Sequence, residues 1–126
     1  MIFDSDVLIW FFRSNESAKK IIRENVPFSI SIVTYMEILQ GALNKKELLD
    51  MKKFFRDTYT TVIPINEAIS YRAAEYVEKY TLSDAMELAD ALIAATAVEN
   101  NEVLCTANVK HYKCVPHLKM SVFKSE

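Results

Sequence analysis

Four polar residues stand where an α/β sheet does its chemistry. Asp4 follows the apolar start Ile2–Phe3, Glu37 lies one helical turn beyond the alternating run FSISI, Asp90 interrupts the apolar stretch LADALIAATA, and Asn108 closes CTAN. Open α/β sheets place their sites outside the carboxyl ends of the strands, so each of these positions can reach the same end of one sheet from a different chain segment. Carboxylates gathered in a part-buried cleft repel one another and raise their own pKa values. A divalent cation removes that conflict. Oxygen donors without neighbouring Cys or His suit Mg²⁺ or Mn²⁺ better than Zn²⁺. Asp4, Glu37 and Asp90 are therefore the candidate metal ligands, and the same three with Asn108 form the candidate catalytic set.

Each residue also has an ordinary structural reading. Asp4 at a strand-to-helix junction is a good N-cap, and Asp6 suits the first turn of the helix that follows. Glu37 stands three residues after Thr34, at capping-box spacing. Asp84 follows Ser83 and reads as part of a helix start. Asn108 alone reads as a turn residue. Asp90 is the exception: Leu88, Ala89, Ala91, Leu92 and Ile93 surround it, and an acid in such a helix is costly without a partner.

The elements that must position these residues alternate along the chain. The first apolar residues read as a buried strand, and a helical pattern runs from Ser5 to Arg13. A loop and helix start at Ser14–Ser17 leads into AKKIIREN. Phe28–Ile32 reads as a second strand, and TYMEILQGAL as a helix. NKKELLDMKKFFRDTY is another, opened by Asn44 with Glu47 in capping-box spacing. Thr60–Ile65 is a third strand, with Pro64 marking an edge or an end. NEAISYRAAEYVEKY is amphipathic, and LADALIAATAVENN is so apolar that it must be covered on most sides. EVLCTA and MSVFK read as the fourth and fifth strands. Strands alternating with helices predict one α/β domain around a mostly parallel sheet.

Composition agrees. The chain has 126 residues, 51% of them hydrophobic, with one glycine and three prolines, too few turn formers for a hairpin-rich all-β fold. A net charge of −2 gives no global basic footprint for nucleic acid, although a carboxylate site would itself pull the balance acidic. Cys105 and Cys114, without Cys/His ligand spacing, suggest free thiols in a reducing compartment. No secretory signal or bilayer-spanning stretch is visible, so the expectation is a cytoplasmic protein.

The segments IFDSDVLIW, SIVTYMEILQGAL and LADALIAATAVENNEVLCTANVKHY together resemble the PIN-domain family, most closely its VapC-type toxin branch, from Met1 to about the terminal strand. The resemblance implies a PIN-like α/β/α sandwich with about five strands, formed by residues 1–126 as a single domain. It implies a Mg²⁺- or Mn²⁺-dependent endoribonuclease, the toxin of a type II toxin–antitoxin pair. The implied partners are an RNA substrate, a cognate VapB-like antitoxin that occludes the cleft, and a second copy of the chain. Asp4, Glu37 and Asp90 match the family's first, second and third acids. Asn108 stands where many members carry a fourth, which puts a second metal in doubt. Asp6 holds a position often taken by Asn or Ser, Ser5 and Thr106 offer supporting hydroxyls, and Asp84 has no counterpart.

In that reading an ion held by Asp4 and Asp90, with Glu37 directly or through water, activates a water for in-line attack on phosphorus. Arg13, Lys19, Lys20, Lys45, Lys46, Lys110, His111 and Lys113 are candidate phosphate contacts, with Arg13 and Lys110 best placed. His111 reads better as a surface or core-edge residue than as a general base. The amphipathic stretch between Asn44 and Tyr59 offers a groove for a partner helix. Two alternatives remain: a PIN-like binding module with a weakened site, suggested by Asn108, and a haloacid-dehalogenase-type phosphatase, suggested by DSD after an apolar strand.

Overall fold

A strand of only two residues, β1 (Ile2–Phe3), hands over at Asp4 to the helix α1 (Ser5–Phe12). The computed structural model describes residues 1–126. After α1 come α2 (Glu16–Glu24), β2 (Ser29–Ser31), α3 (Ile32–Gln40), α4 (Lys45–Asp57), β3 (Thr61–Ile63), α5 (Glu67–Asp84), α6 (Leu88–Glu99), β4 (Leu104–Thr106), α7 (Val109–Tyr112) and β5 (Met120–Val122). The five strands form one parallel sheet in the order β3-β2-β1-β4-β5. The chain's first strand is thus the middle one, and the order reverses between β1 and β4. That switch point is where an open α/β sheet leaves a crevice at its carboxyl edge.

Strand periodicity splits the interior in two. Ile2 pairs with Leu104 and Phe3 with Cys105. Successive side chains leave opposite faces of a strand, so Ile2 and Leu104 enter one core while Phe3 and Cys105 enter the other. The first core is closed by Ile69, Ala73 and Tyr76 of α5, by Ala91, Ile93, Ala94, Ala95 and Ala97 of α6, and by Tyr112 of α7. The second is closed by Val7 and Leu8 of α1, Ala18 and Ile22 of α2, and Met51 and Phe55 of α4. Helices on both faces make the α/β/α sandwich. α6 is covered as its sequence requires, and its small side chains let α5 approach closely. No helix is long and apolar enough to cross a membrane.

Several boundaries differ from the sequence reading, each for a local reason. α3 starts at Ile32, because Ser31 is the N-cap and accepts from the Val33 N–H at 3.1 Å. Thr34 is therefore already inside the helix, and the Thr34–Glu37 capping box does not form. Asp84 does not start a helix. It ends α5, which runs on past Tyr80 until Ala85 adopts a left-handed backbone. The short α7 has no counterpart in the sequence reading. Asn44 does cap α4, accepting from the Glu47 N–H at 2.9 Å, and β3 is an edge strand.

Candidate active site

At the switch point the carboxyl ends of β1 and β4 lie side by side, and the residues just beyond them form a hydrogen-bonded cluster. Asp4 is 5% exposed. It is the N-cap of α1, accepting from the Ser5 N–H at 2.8 Å, and its second oxygen accepts from the Thr106 hydroxyl at 2.8 Å. The ordinary reading and the chemical one therefore coincide in one side chain. Asp6, one turn into α1, reaches back across the crevice to accept from the Ala107 N–H at 2.9 Å and the Thr106 hydroxyl at 3.4 Å. Its other oxygen, Oδ1, is buried with no hydrogen-bond partner. This places Asp6 in the cluster, with a task beyond the dipole of its own helix.

Glu37 joins through a hydroxyl. Ser5 Oγ donates to Glu37 Oε1 at 2.6 Å and touches Thr34 Oγ1 at 3.3 Å. Freed from a capping box, Glu37 is thereby turned towards the carboxyl end of β1. Asp90 is the third residue of α6 and does take part in a capping box, its Oδ2 accepting from the Glu87 N–H at 3.2 Å. The sequence reading left Asp90 with no local partner, and the Glu87 main chain supplies one. Asp90 Oδ1 accepts from the Tyr112 hydroxyl at 3.4 Å. Tyr112 is fully buried, and its hydroxyl also bonds to Asp4, so it stands between the two acids. Asn108 lies just past β4. Its N–H donates to Thr106 Oγ1 at 3.0 Å, while its side chain is exposed and makes no cap hydrogen bond.

His111 and Tyr112 are the site residues that the sequence reading missed. His111 is half exposed, and its Nδ1 lies 3.3 Å from Asp90 Oδ2, so it belongs to the cleft rather than to an unrelated surface. The expectation of an oxygen-only neighbourhood is corrected with it. The signal was the single helical turn of α7: if Asn108 caps a turn, His111 and Tyr112 return towards the strand end. Four residues are too short for periodicity to reveal.

The cluster is electrostatically strained. Burial, then the neighbouring Asp6, pushes the Asp4 carboxyl up to about 6, against the lowering effect of its Thr106, Ser5 and Tyr112 bonds. Burial likewise raises Asp6. Burial and the Asp4 and Asp90 carboxylates push the Tyr112 hydroxyl far up, so it stays a donor. No Lys or Arg forms an ion pair with Asp4, Asp6, Glu37 or Asp90; the one cationic partner among them is His111. As placed, no three His, Cys, Asp or Glu side chains converge on a common metal position. Mg²⁺ commonly keeps several waters and takes one or two carboxylates. Paired hard oxygens, an orphaned buried carboxylate oxygen and missing countercharge fit such an ion.

Beside Glu37 a cavity of about 400 Å³ opens between α1, α3 and α4, lined by Ile9, Phe12, Arg13, Glu37, Ile38, Gly41, Leu43, Glu47 and Met51. Lys110 lies in α7 on the other side of the crevice, exposed. Lys19 and Lys46 are engaged with Glu16 and Asp50 of their own helices at 3.6 and 3.1 Å.

Comparison with known proteins places this arrangement. The sequence matches the PIN domain model over residues 1–114. It is 33% identical over 125 residues to Ribonuclease VapC10 of Mycobacterium tuberculosis, covering 94% of this chain and 90% of that protein. Its structure is similar to a toxin-antitoxin complex from Klebsiella pneumoniae, at TM-score 0.77 and 27% identity over 99% of this chain and 97% of that one. It also resembles, in fold, VapBC2 from Rickettsia felis bound to a promoter DNA fragment, at TM-score 0.79 and 18% identity over 98% and 100% of the two chains. DNA-bound VapBC from Salmonella typhimurium aligns at TM-score 0.80 and 17% identity over 96% of each chain. With a crevice of acids at the switch point of a parallel sheet, and a family match spanning nearly its whole length, the chain belongs to the PIN domain family.

Proposed function

We propose that residues 1–126 act as one PIN-like domain, a divalent-metal-dependent endoribonuclease and the toxin of a type II toxin–antitoxin pair. One observation carries the reading. Asp4, Asp6, Glu37 and Asp90, drawn from three helix starts, are linked at the crevice through Ser5, Thr106 and Tyr112 in a PIN chain 33% identical to a VapC ribonuclease. The phosphatase alternative has no support once the chain is a PIN domain.

Asp4 and Asp90 would hold Mg²⁺ or Mn²⁺, with Glu37 beside them and Asn108 at the rim. Such an ion supplies water activation and charge neutralisation at phosphorus. The chain's own residues prepare the place. Thr106 fixes the rotamers of Asp4 and Asp6, Ser5 orients Glu37, and Tyr112 keeps Asp4 and Asp90 on either side of one hydroxyl. Arg13 and Lys110 flank the crevice and would contact phosphates of the RNA, positioning it without reading its bases.

The proposed antitoxin covers the groove beside Glu37, whose apolar wall (Ile9, Phe12, Ile38, Leu43, Met51) and flanking Arg13 suit an amphipathic helix. A homodimer is part of the same reading. Light scattering of the purified chain tests it, and a Leu43→Glu variant tests the groove by its loss of antitoxin binding.

The deciding experiment incubates the purified chain with RNA and Mg²⁺ or Mn²⁺. Cleavage that EDTA abolishes, and that Asp4→Asn and Asp90→Asn each lower by at least about 10²-fold, as loss of a principal catalytic interaction does, supports the reading. No cleavage by the wild-type chain with any RNA or metal would leave the binding-module alternative in its place.

A further inference from the structure

His111 gives this crevice a nitrogen donor. We propose that His111 Nδ1 is a metal ligand beside Asp90, so that the site binds its ion through mixed oxygen and nitrogen donors and prefers Mn²⁺ to Mg²⁺. The inference rests on the reading that an ion binds among Asp4, Glu37 and Asp90.

The argument starts from α7. Its single turn, Val109–Tyr112, follows directly on the loop that ends β4. Tyr112 turns inwards to Asp90 Oδ1, and its neighbour His111 stays at the rim against Asp90 Oδ2. Both oxygens of Asp90 are therefore addressed from the same turn. The Nδ1–Oδ2 separation is 3.3 Å, just beyond the usual range for an N–H···O hydrogen bond. It is close to the spacing of two adjacent donors on an octahedral ion, roughly 3 Å when each bond is about 2.1 Å. The imidazole is 42% exposed, so it can turn by a few tenths of an ångström at little cost, and water can complete the shell.

No second nitrogen or sulfur competes for the place. Cys105 packs in the opposite core, on the Phe3 side of the sheet. Imidazole suits transition metals, whereas Mg²⁺ takes oxygen ligands almost alone. An ion held by Asp90 and His111 together is thus expected to be Mn²⁺ when both metals are offered.

The test is electron spin-echo spectroscopy of Mn²⁺ bound to the full chain in a nitrogen-free buffer, paired with calorimetric titration of Mn²⁺ and Mg²⁺. The expected result is a ¹⁴N modulation in the wild-type spectrum that shifts when the chain is grown with ¹⁵N-histidine. The chain has two histidines, so the signal should persist in His117→Asn and vanish in His111→Ala. Even outer partners of metal ligands are worth about 10–100-fold in affinity, so His111→Ala should lose at least about tenfold for Mn²⁺ and far less for Mg²⁺. The isotope shift in wild type combined with its persistence in His117→Asn assigns the nitrogen even if His111→Ala misfolds. Mn²⁺ bound to wild type with no ¹⁴N modulation overturns this inference and leaves the acidic metal site standing. Failure of the wild-type chain to bind either metal overturns both.

Discussion

Asp4 carries two obligations that pull against each other. As an N-cap it accepts from Ser5, and as a buried acid beside Asp6 it resists ionisation, with its pKa pushed up to about 6. Below a pH of about 4 it is protonated in both the folded and unfolded chain and contributes nothing. As pH rises from about 4 to 6 the unfolded chain ionises first, so the folded state loses stability, by an amount on the order of 3 kcal/mol once the pH is above 6. In EDTA, Asp4→Asn should therefore be more stable than wild type at pH 8 and no more stable at pH 4, because Asn still caps the helix. Thermal unfolding across that range checks it, and a difference that does not vary with pH would contradict the account. Tyr112→Phe removes the hydroxyl shared by Asp4 and Asp90. Since the bond to Asp90 is long, at 3.4 Å, the fold should survive, while metal affinity measured by calorimetry should fall about 10–100-fold, as for other outer partners of metal ligands. The buried Cys105 thiol, raised to about 11 by burial and the nearby Asp6 and Asp4 carboxylates, should not react with a thiol reagent until the chain unfolds, because the thiolate is the reactive form.

Helices and strands show which parts of the site could be read from sequence. The alternation of strands and helices, the buried character of α6 and the capping of α4 by Asn44 all follow from local patterns, and they put Asp4, Glu37 and Asp90 at the correct ends of their elements. The long-range bonds do not follow from local patterns. Nothing near Asp6 in sequence announces Ala107, and nothing near Glu37 announces Ser5. Local signals misled where two were available: Thr34 and Glu37 have capping-box spacing, but Ser31 takes the cap first. Ser83 and Asp84 resemble a helix start, yet nothing interrupts α5 before Ala85. His111 was legible only through α7, an element too short to have a period. α6 also makes a stability prediction. Ala94 is fully buried in the first core, on the helix that packs against α5. Ala94→Leu should overpack that contact and destabilise the protein by about 1–3 kcal/mol, read as a lower urea midpoint.

For the whole molecule, an ion that binds only the assembled crevice must also stabilise the fold. At Mn²⁺ about a hundredfold above its dissociation constant the gain is about 2.7 kcal/mol. A thermal shift of that origin should appear in wild type, disappear with EDTA and be absent in Asp90→Asn. The sheet order has a further consequence. β1 is made first but sits between β2 and β4, and Asp4 meets Thr106 across 102 positions of sequence. A nascent chain on the ribosome therefore carries Asp4 and Asp6 long before it carries the Thr106 hydroxyl and Ala107 N–H that hold them. Any product cut short ahead of β4 leaves β1 with an open edge and its acids unheld. Assembly of the crevice, and whatever cutting it performs, is thereby postponed until translation is nearly complete.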